Sequence, residues 1–433
     1  MTRNEKLVFW GLTSAVALTR WPALSATLWD WDEALFILGL RDYDVTLHHP
    51  HPPGFPLFIA ISRLMPLDGF HALQAVTFLS SLFVFPAMFF LARELRLSFF
   101  SATAAALLLS FFPNVWFYGG TALSDVPSLV LALAACVLLL RGARSDASLI
   151  AGAVVLGIAA GVRPQNLLLG AVPFAVAFLH RRRTAVLGAF IVAIIVVASF
   201  GAAAHFSGGW EAYRDALARH EQYIRARDSF LSPIRPWLPQ VADDFFLRPY
   251  RAPLINIAVT VLAAVGLLRR RPWLALAIFG PFLFFAWLYL DFHSASRFSI
   301  AYMPLFALLA AEGIPARLRG VTLAGLVVLL IGWTWPALRV VHTTKSPPVA
   351  AIESIPPGST LFVDDRLAAH AALLLPRGYQ VVRVTPELQL PPGALLLKEG
   401  ASDAPGARSF TRTRDRLDGI ARARYFEVSV VRR

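Results

Sequence analysis

Three carboxylates stand together at Asp30, Asp32 and Glu33, in the run Leu28-Trp29-Asp30-Trp31-Asp32-Glu33-Ala34-Leu35. They follow directly on an apolar stretch, so at least one can be held at a lipid boundary, where desolvation raises a carboxylate's basicity. Such a group suits a general base acting on a hydroxyl. Asp30 reads most simply as a helix N-cap, with Trp29 and Trp31 as interfacial anchors. The same segment continues into His48-His49-Pro50-His51-Pro52-Pro53-Gly54-Phe55-Pro56-Leu57. The prolines stiffen it, and Gly54 lets backbone approach a ligand closely. Three histidines within four positions raise a metal site completed by Asp32 or Glu33. Pro50 and Pro52 preclude a regular helix, however, and strand-like alternation sends His48 and His49 to opposite sides. Orientation of substrate hydroxyls or phosphate by His49 and His51 therefore ranks above metal ligation. Dependence on Mg²⁺ or Mn²⁺ stays open, because Asp32, Asp125 and the histidines have no decisive spacing.

The elements that must position these groups are membrane helices. The chain has 433 residues, 57% hydrophobic and 15% charged, far too apolar for an ordinary soluble protein of this length. Forty basic residues against 27 acidic ones give a net charge of +13. The arginines fall in short groups between long apolar runs, which is a positive-inside pattern and not a nucleic-acid face. The single cysteine, Cys136, lies within an apolar run, so an internal disulfide and Cys-based metal or thiol chemistry are excluded.

Leu7–Leu28 is a 22-residue run preceded by Arg3 and Lys6, long enough to cross the bilayer from a cytoplasmic N-terminus. Arg20 interrupts it and no clean cleavage site follows, so an uncleaved first helix is expected rather than a signal peptide. Further spans are expected at His71–Leu91, Phe99–Phe117, Ala122–Leu140, Ala185–Ala204, Leu254–Leu268, Pro272–Leu290, Phe298–Ala311 and Val321–Leu338. Leu149–Leu179 is broken by Arg163-Pro164-Gln165-Asn166 and flanked at both ends by arginines, so it reads as a hairpin with a polar tip sunk on the outer side. Polar backbone at that depth implies a cavity. Counting the hairpin twice gives eleven spans, with Arg3, Lys6, Arg93, Arg96, Arg141, Arg144, Arg181–Arg183, Arg269–Arg271, Arg317 and Arg319 inside.

Residues 1–340 therefore form a membrane domain with long outer segments, Trp29–Phe70 and His205–Tyr250. Residues 341–433 read as a small extracytoplasmic α/β domain. Strands are expected at Ser359–Asp364, Gln380–Val384, Ala394–Lys398 and Tyr425–Val431, and a helix at Arg366–Leu375; Pro347, Pro348, Pro356 and Pro357 mark the linker. The ionisable groups Asp32, Glu33, His49, His51, Asp125, Arg163, Glu221, His293 and Arg297 all fall on the outer side, where a site is expected. Trp210–Arg227 reads as a helix that could cover an acceptor groove, with His220, Glu221 and Tyr223 as candidates, although such a charge run is usually a solvated face.

The acidic pair Asp32-Glu33, followed by His51-Pro52-Pro53-Gly54-Phe55-Pro56-Leu57, resembles the GT-C superfamily of polytopic glycosyltransferases. The likeness is strongest to protein O-mannosyltransferases, aminoarabinose transferases and bacterial relatives with a His-Pro-Pro-Gly segment. Three further positions resemble the pattern: Ser124-Asp125-Val126-Pro127, the Arg163-Pro164 turn, and Arg297-Phe298 ahead of Tyr302-Met303-Pro304. The resemblance implies a GT-C-like helical fold over about residues 1–340, in the plasma (inner) membrane, acting on its outer face. It implies a hexosyl- or pentosyltransferase that moves a sugar, with inversion, from a polyprenyl-phosphate donor to a hydroxyl on a glycan, lipid or protein.

Within that reading Asp32 is the general base and Glu33 orients a sugar. Arg163 and Arg297 contact the donor phosphate, which suits bidentate guanidinium bonding. Asp125, His49, His51, His293, Tyr302 and Glu221 are substrate-side candidates. A lipid-linked oligosaccharide ligase or polymerase is the alternative within the enzyme class. A lipid or solute transporter is the alternative outside it, but the polar groups favour one side and the broken hairpin has no repeat partner.

Overall fold

A computed structural model describes residues 1–247, 252–270, 272–356, 359–375, 380–384, 388–411 and 427–432. Expectations that touch Arg248–Arg251, Arg271, Pro357 and Tyr425–Phe426 lie outside the described residues.

The chain begins with α1 (Arg3–Leu18), which a capping box between Thr2 and Glu5 opens. It does not run to Leu28 as expected. The helix stops before Arg20, Pro22 starts a short 3-10 turn, and the Arg20 side chain folds inward at 1% exposure. Its guanidinium donates to the Ser110 carbonyl at 2.8 Å and lies over the Phe111 and Trp116 rings. A cation–π seat lets an arginine sit where a straight helix would have placed it in lipid.

Next come α2 (Trp31–Arg41) and α3 (Pro56–Arg63). The apolar bundle follows: α4 (Gly69–Ser81), α5 (Val84–Glu94), α6 (Phe99–Phe111), the short α7 (Pro113–Tyr118), α8 (Asp125–Gly142), α9 (Asp146–Val162), α10 (Asn166–His180) and α11 (Arg182–Phe206). Polar α12 (Trp210–Arg227) and short α13 (Leu238–Ala242) lead to α14 (Pro253–Arg270), α15 (Trp273–Tyr289), one-turn α16 (Ala295–Phe298), α17 (Met303–Gly313) and α18 (Arg319–Thr343).

Among the described residues five stretches are long and apolar enough to cross a membrane: Gly69–Glu94, α8, α11, α14 and Ala316–Glu353. A sixth arises if Phe292–Ala301 and Met303–Gly313, bent by 67°, form one broken span. The helices α6, α9, α10 and α15 are apolar but shorter. Eleven crossings is thus more than length and composition establish.

The bundle packs α8 against α9, α9 against α11, and α14 against α17. The last contact is close because of glycine. A Cβ on Gly266 would stand 1.9 Å from the Leu309 carbonyl oxygen, and one on Gly313 the same distance from that of Leu262. Small residues at facing positions let two backbones approach where dispersion is the main attraction.

After α18 the chain forms α19 (Pro347–Glu353), β1 (Thr360–Val363), α20 (Ala368–Leu374), β2 (Gln380–Arg383), β3 (Leu395–Glu399), β4 (Arg408–Thr411) and β5 (Glu427–Arg432). Pro347 and Pro348 open α19 and are buried, so they start a packed helix and are not a loose linker. The sheet order is β2-β1-β3-β5-β4, parallel across β2, β1 and β3 and antiparallel beyond. Strand β4 is not among the elements expected from the sequence. The domain rests on α2: α20 packs along it, Trp31 joins the sheet's apolar core, and Arg41 donates to the Leu373 carbonyl at 3.1 Å.

Candidate active site

The helix α2 owes its start to Asp30, whose carboxylate accepts from the Asp32 amide at 2.9 Å. Glu33 completes a capping box and goes further. Its Oε2 accepts from the Trp29 and Asp30 amides, and its Oε1 accepts from the Ala122 amide at 2.8 Å. Glu33 is fully buried. Burial pushes its carboxyl up to about 7, against the opposing effect of those three amides. The expectation that Glu33 orients a sugar does not fit this placement, since its oxygens tie the turn before α2 to the turn before α8. The spacing Asp30-x-x-Glu33 is itself a capping-box signature.

One residue earlier, Asp32 turns the other way. Its Oδ2 accepts from Arg297, and its Oδ1 faces His51 Nδ1 at 3.5 Å. Arg297 lies on α16, which Asn114 steadies by donating to the Ser296 carbonyl and to Ser299 Oγ, both at 2.9 Å. Arg297 Nε also donates to Asp125 Oδ2 at 2.9 Å, and Asp30 lies 3.7 Å from its Nη1. Asp125 opens α8, and Ser124 before it makes no side-chain cap. The Asp125 carboxylate goes instead to the two guanidiniums, for Arg163 Nη2 donates to its Oδ1 at 2.9 Å.

Arg163 ends α9 in an extended conformation, which breaks the α9–α10 hairpin and turns the side chain back. It donates to Ser124 Oγ at 2.9 Å and lies over the Phe55 ring. Residues from separate parts of the chain thus form one cluster of Asp30, Asp32, Asp125, Arg163, Arg297 and His51.

Burial alone would raise the Asp32 carboxyl, but the field of His51 when protonated, those of Arg297 and Arg163, and the Arg297 hydrogen bond outweigh it and hold the group below the usual carboxylate range. Burial lowers His51 to about 4, with Asp32 opposing and His220, Arg297 and Arg163 adding to the drop. The imidazole is therefore neutral at neutral pH, and the guanidiniums keep Asp32 ionised. Each guanidinium is planar and presents donors suited to a phosphate, at the price of giving up a carboxylate partner.

The histidine loop is held from two sides. The Tyr43 hydroxyl donates to the Gly54 carbonyl at 2.9 Å, and the Tyr213 hydroxyl, from α12, to that of Pro53 at 2.8 Å. Gly54 has φ +103°, and a Cβ there would stand 2.4 Å from the Tyr43 oxygen. The close approach that Gly54 permits is therefore to Tyr43 and not to a ligand. His51 lies against Phe36 and Phe55 and faces His220 of α12, with ring centroids 6.1 Å apart.

Other expected residues lie away from the cluster. His49 pairs its backbone with Asp44, and its ring feels Asp42 and Asp44. Glu221 is exposed and pairs with Arg225 at 3.6 Å, whereas its neighbour His220 faces inward. His293 is exposed, with its amide bound to Asp291. Tyr302 is buried, and its hydroxyl donates to the Phe245 carbonyl at 2.7 Å. Among the described residues no three His, Cys, Asp or Glu side chains could together hold a metal ion. Asp32 and Asp125, the carboxylates a divalent cation would use, both give an oxygen to Arg297, so a guanidinium fills the position between them.

Solved structures of the same architecture decide the fold. ArnT from Cupriavidus metallidurans bound to undecaprenyl phosphate is 13% identical, with a TM-score of 0.57 over 99% of this chain and 98% of that one. Its apo form gives 0.52 at 14% identity, covering 98% of each chain. The chain has the GT-C fold.

The archaeal oligosaccharyltransferase AglB from Archaeoglobus fulgidus, in complex with an inhibitory peptide and a dolichol-phosphate, aligns at 0.50 and 11% identity, over 88% of this chain and 65% of that one. The family model for dolichyl-phosphate-mannose-protein mannosyltransferase matches residues 50–202, which include His51, Asp125 and Arg163. No curated protein matches the chain in sequence.

Within this GT-C fold the sequence pattern did not point to Asn114 or Tyr118, and it gave Ser124 only as the neighbour of Asp125. Asn114 holds α16, Ser124 holds Arg163, and Tyr118 is buried within the field of Asp30, Arg297 and Asp125. Asn114 carries a signal, being an amide after a proline inside an apolar run, where a polar side chain needs a partner.

Proposed function

We propose that the protein transfers a sugar from a polyprenyl-phosphate donor to a hydroxyl acceptor, on the membrane face that the arginine distribution makes the outer one. The observation that carries this reading is that Asp32 gives one oxygen to Arg297 and turns the other toward the histidine loop. A carboxylate able to take a proton thus adjoins a guanidinium able to take a phosphate.

The acceptor oxygen attacks the anomeric carbon on the face opposite the phosphate, while Asp32 takes the hydroxyl proton and the C1–O electron pair leaves on the phosphate oxygen, giving inversion in one step. Arg163 and Arg297 exchange carboxylate for phosphate oxygens and stabilise the charge that gathers on the leaving group. Apolar helix walls beside the cluster hold the prenyl chain. The architecture shared with ArnT bound to undecaprenyl phosphate supports a lipid phosphate in this role.

The test uses purified protein in lipid vesicles and a panel of radiolabelled polyprenyl-phosphate sugars, with membrane extracts as acceptors. Wild type is expected to transfer sugar from at least one donor. Asp32→Asn should lower the rate by about 10²- to 10⁴-fold while undecaprenyl phosphate still binds. A wild type that moves sugar from no donor overturns the reading.

A further inference from the structure

Asp32 is a weak proton acceptor in this setting, because Arg297 and Arg163 stabilise its ionised form. Something must make its protonation favourable during turnover. The oxygen not used by Arg297 points at His51 Nδ1, an atom that has no hydrogen-bond partner and is shut off from solvent. Beyond His51 lies His220, half-buried on α12, and beyond that the ring of His48, exposed and 6.5 Å from His220. The imidazoles open toward solvent in that order, from His51, whose Nδ1 is shut in, through half-buried His220 to exposed His48. Such a file can be filled from the inside and emptied from the outside.

We propose that His51 relays the acceptor's proton away from Asp32 and that His220 passes it on toward solvent. The inference rests on the transferase reading above. In the step, the acceptor oxygen bonds to the anomeric carbon and the donor C1–O electron pair leaves with the phosphate. The hydroxyl proton goes to Asp32 Oδ1 and then to His51 Nδ1, which restores the carboxylate. His51 releases its Nε2 proton toward His220, and the products are the glycosylated acceptor, the polyprenyl phosphate and one proton in solution.

The charged and titratable groups that face His51 are Asp32, His220, Arg297 and Arg163. A donor phosphate on the two guanidiniums offsets their field, so the imidazole becomes a better acceptor when the donor is in place. His51 acts through Asp32 and does not touch the reacting carbon, so His51 is a positioning and relay residue rather than a second nucleophile or base on the sugar.

The test compares wild type, Asp32→Asn, His51→Ala, His51→Gln and His220→Gln in vesicles, using whichever donor the panel identifies. Undecaprenyl phosphate binding reports an intact site. His51→Ala should lose about 10²-fold in kcat with binding within about threefold of wild type, and added imidazole should restore part of the rate. His220→Gln should lose less.

In wild type the acid limb of the kcat profile marks protonation of His51. His51→Gln, slower throughout, should keep its rate to lower pH. If His51→Ala transfers within about threefold of wild type, or if the acid limb of His51→Gln coincides with that of wild type, the relay is overturned while the transferase reading stands. If wild type itself transfers no sugar, both fall together. Should His51→Ala fail to bind undecaprenyl phosphate, the His51→Gln profile decides.

Discussion

The two long polar segments between the helices look equally rich in chemistry, yet they deliver it differently. The first, from Trp29 to Leu57, turns Asp32, Glu33 and His51 inward. A helix N-terminus presents Asp32 to Arg297, and a proline-stiffened loop presents His51 to Asp32. The second, carried by α12, turns its charges outward. Arg214 pairs with Asp215 and Arg225 with Glu221, each with more than half its side chain exposed. Its inner face is Tyr213, Ala216 and His220, at helical spacing of three and four. Polarity alone therefore does not mark a site. What matters is whether the local backbone points the polar group into the fold or away from it.

The comparison breaks first at Arg297. If the first segment is built around that guanidinium, Arg297→Ala leaves Asp32, Asp30 and Asp125 facing one another with only Arg163 to neutralise them. Removing one partner from a buried charge network costs about 3–5 kcal/mol. A large drop in thermal midpoint is expected in detergent, together with loss of undecaprenyl phosphate binding. The double variant Arg297→Ala/Asp125→Asn should recover part of the stability, and a single variant that melts with wild type would show that the charges are solvated rather than buried together.

The same contrast runs between two adjacent residues. Asp32 is held ionised by guanidiniums, while Glu33, walled into the turns, is pushed up to about 7 from 4.5. A folded-state pKa above the unfolded one means that Glu33 favours the fold most below the unfolded value of 4.5, and that this advantage is lost as pH rises through about 7. The shift corresponds to about 3 kcal/mol. Thermal midpoints should therefore fall between about pH 5 and pH 8, with other groups held in common, and Glu33→Gln should flatten that slope while leaving undecaprenyl phosphate affinity within about threefold. A variant that loses lipid-phosphate binding while stability keeps its slope would restore Glu33 to the substrate side.

Much of the cluster is legible in the sequence, for a physical reason. Asp32, His51, Asp125, Arg163 and Arg297 are ionisable groups at the edges of apolar runs, where solvation is costly and partners are needed. What the sequence does not supply is direction. Glu33 and Asp32 are neighbours, and the choice between backbone amides and a guanidinium depends on where Ala122 and Arg297 arrive from distant helices. His220 and Glu221 pose the same problem on α12, where both are candidates by residue type and only His220 turns inward. The first helix falls short of its expected length because Arg20 is more than a tolerated interruption: its seat over Phe111 and Trp116 turns the chain. The tail's strands show in the alternation of residue types, except β4, whose side chains are largely exposed and give no apolar pattern.

A smaller test asks whether α12 serves the histidine loop at all. Its Tyr213 hydroxyl donates to the Pro53 carbonyl, and Ser207 just before it accepts from the Val45 amide. Tyr213→Phe keeps the ring and removes one hydrogen bond, worth about 1 kcal/mol. A few-fold fall in transfer, with global stability nearly unchanged, is expected if that bond sets the loop's position over Asp32. No change in rate would reduce α12 to a cover.

The smallest effect belongs to Glu221. It shares α12 with His220 and lies next to it in sequence, so a reading based on position alone gives the two residues equal claims. Their surroundings separate them. The His220 ring faces His51, while the Glu221 carboxylate is 70% exposed beside a similarly exposed Arg225. A solvated pair of that kind contributes at most about a few tenths of a kcal/mol. Glu221→Ala should therefore leave transfer within about twofold of wild type and the thermal midpoint within about 1 °C. A large loss in that variant would mean that the outward face of α12 meets the acceptor, and the direction of a side chain would no longer be what distinguishes the two polar segments.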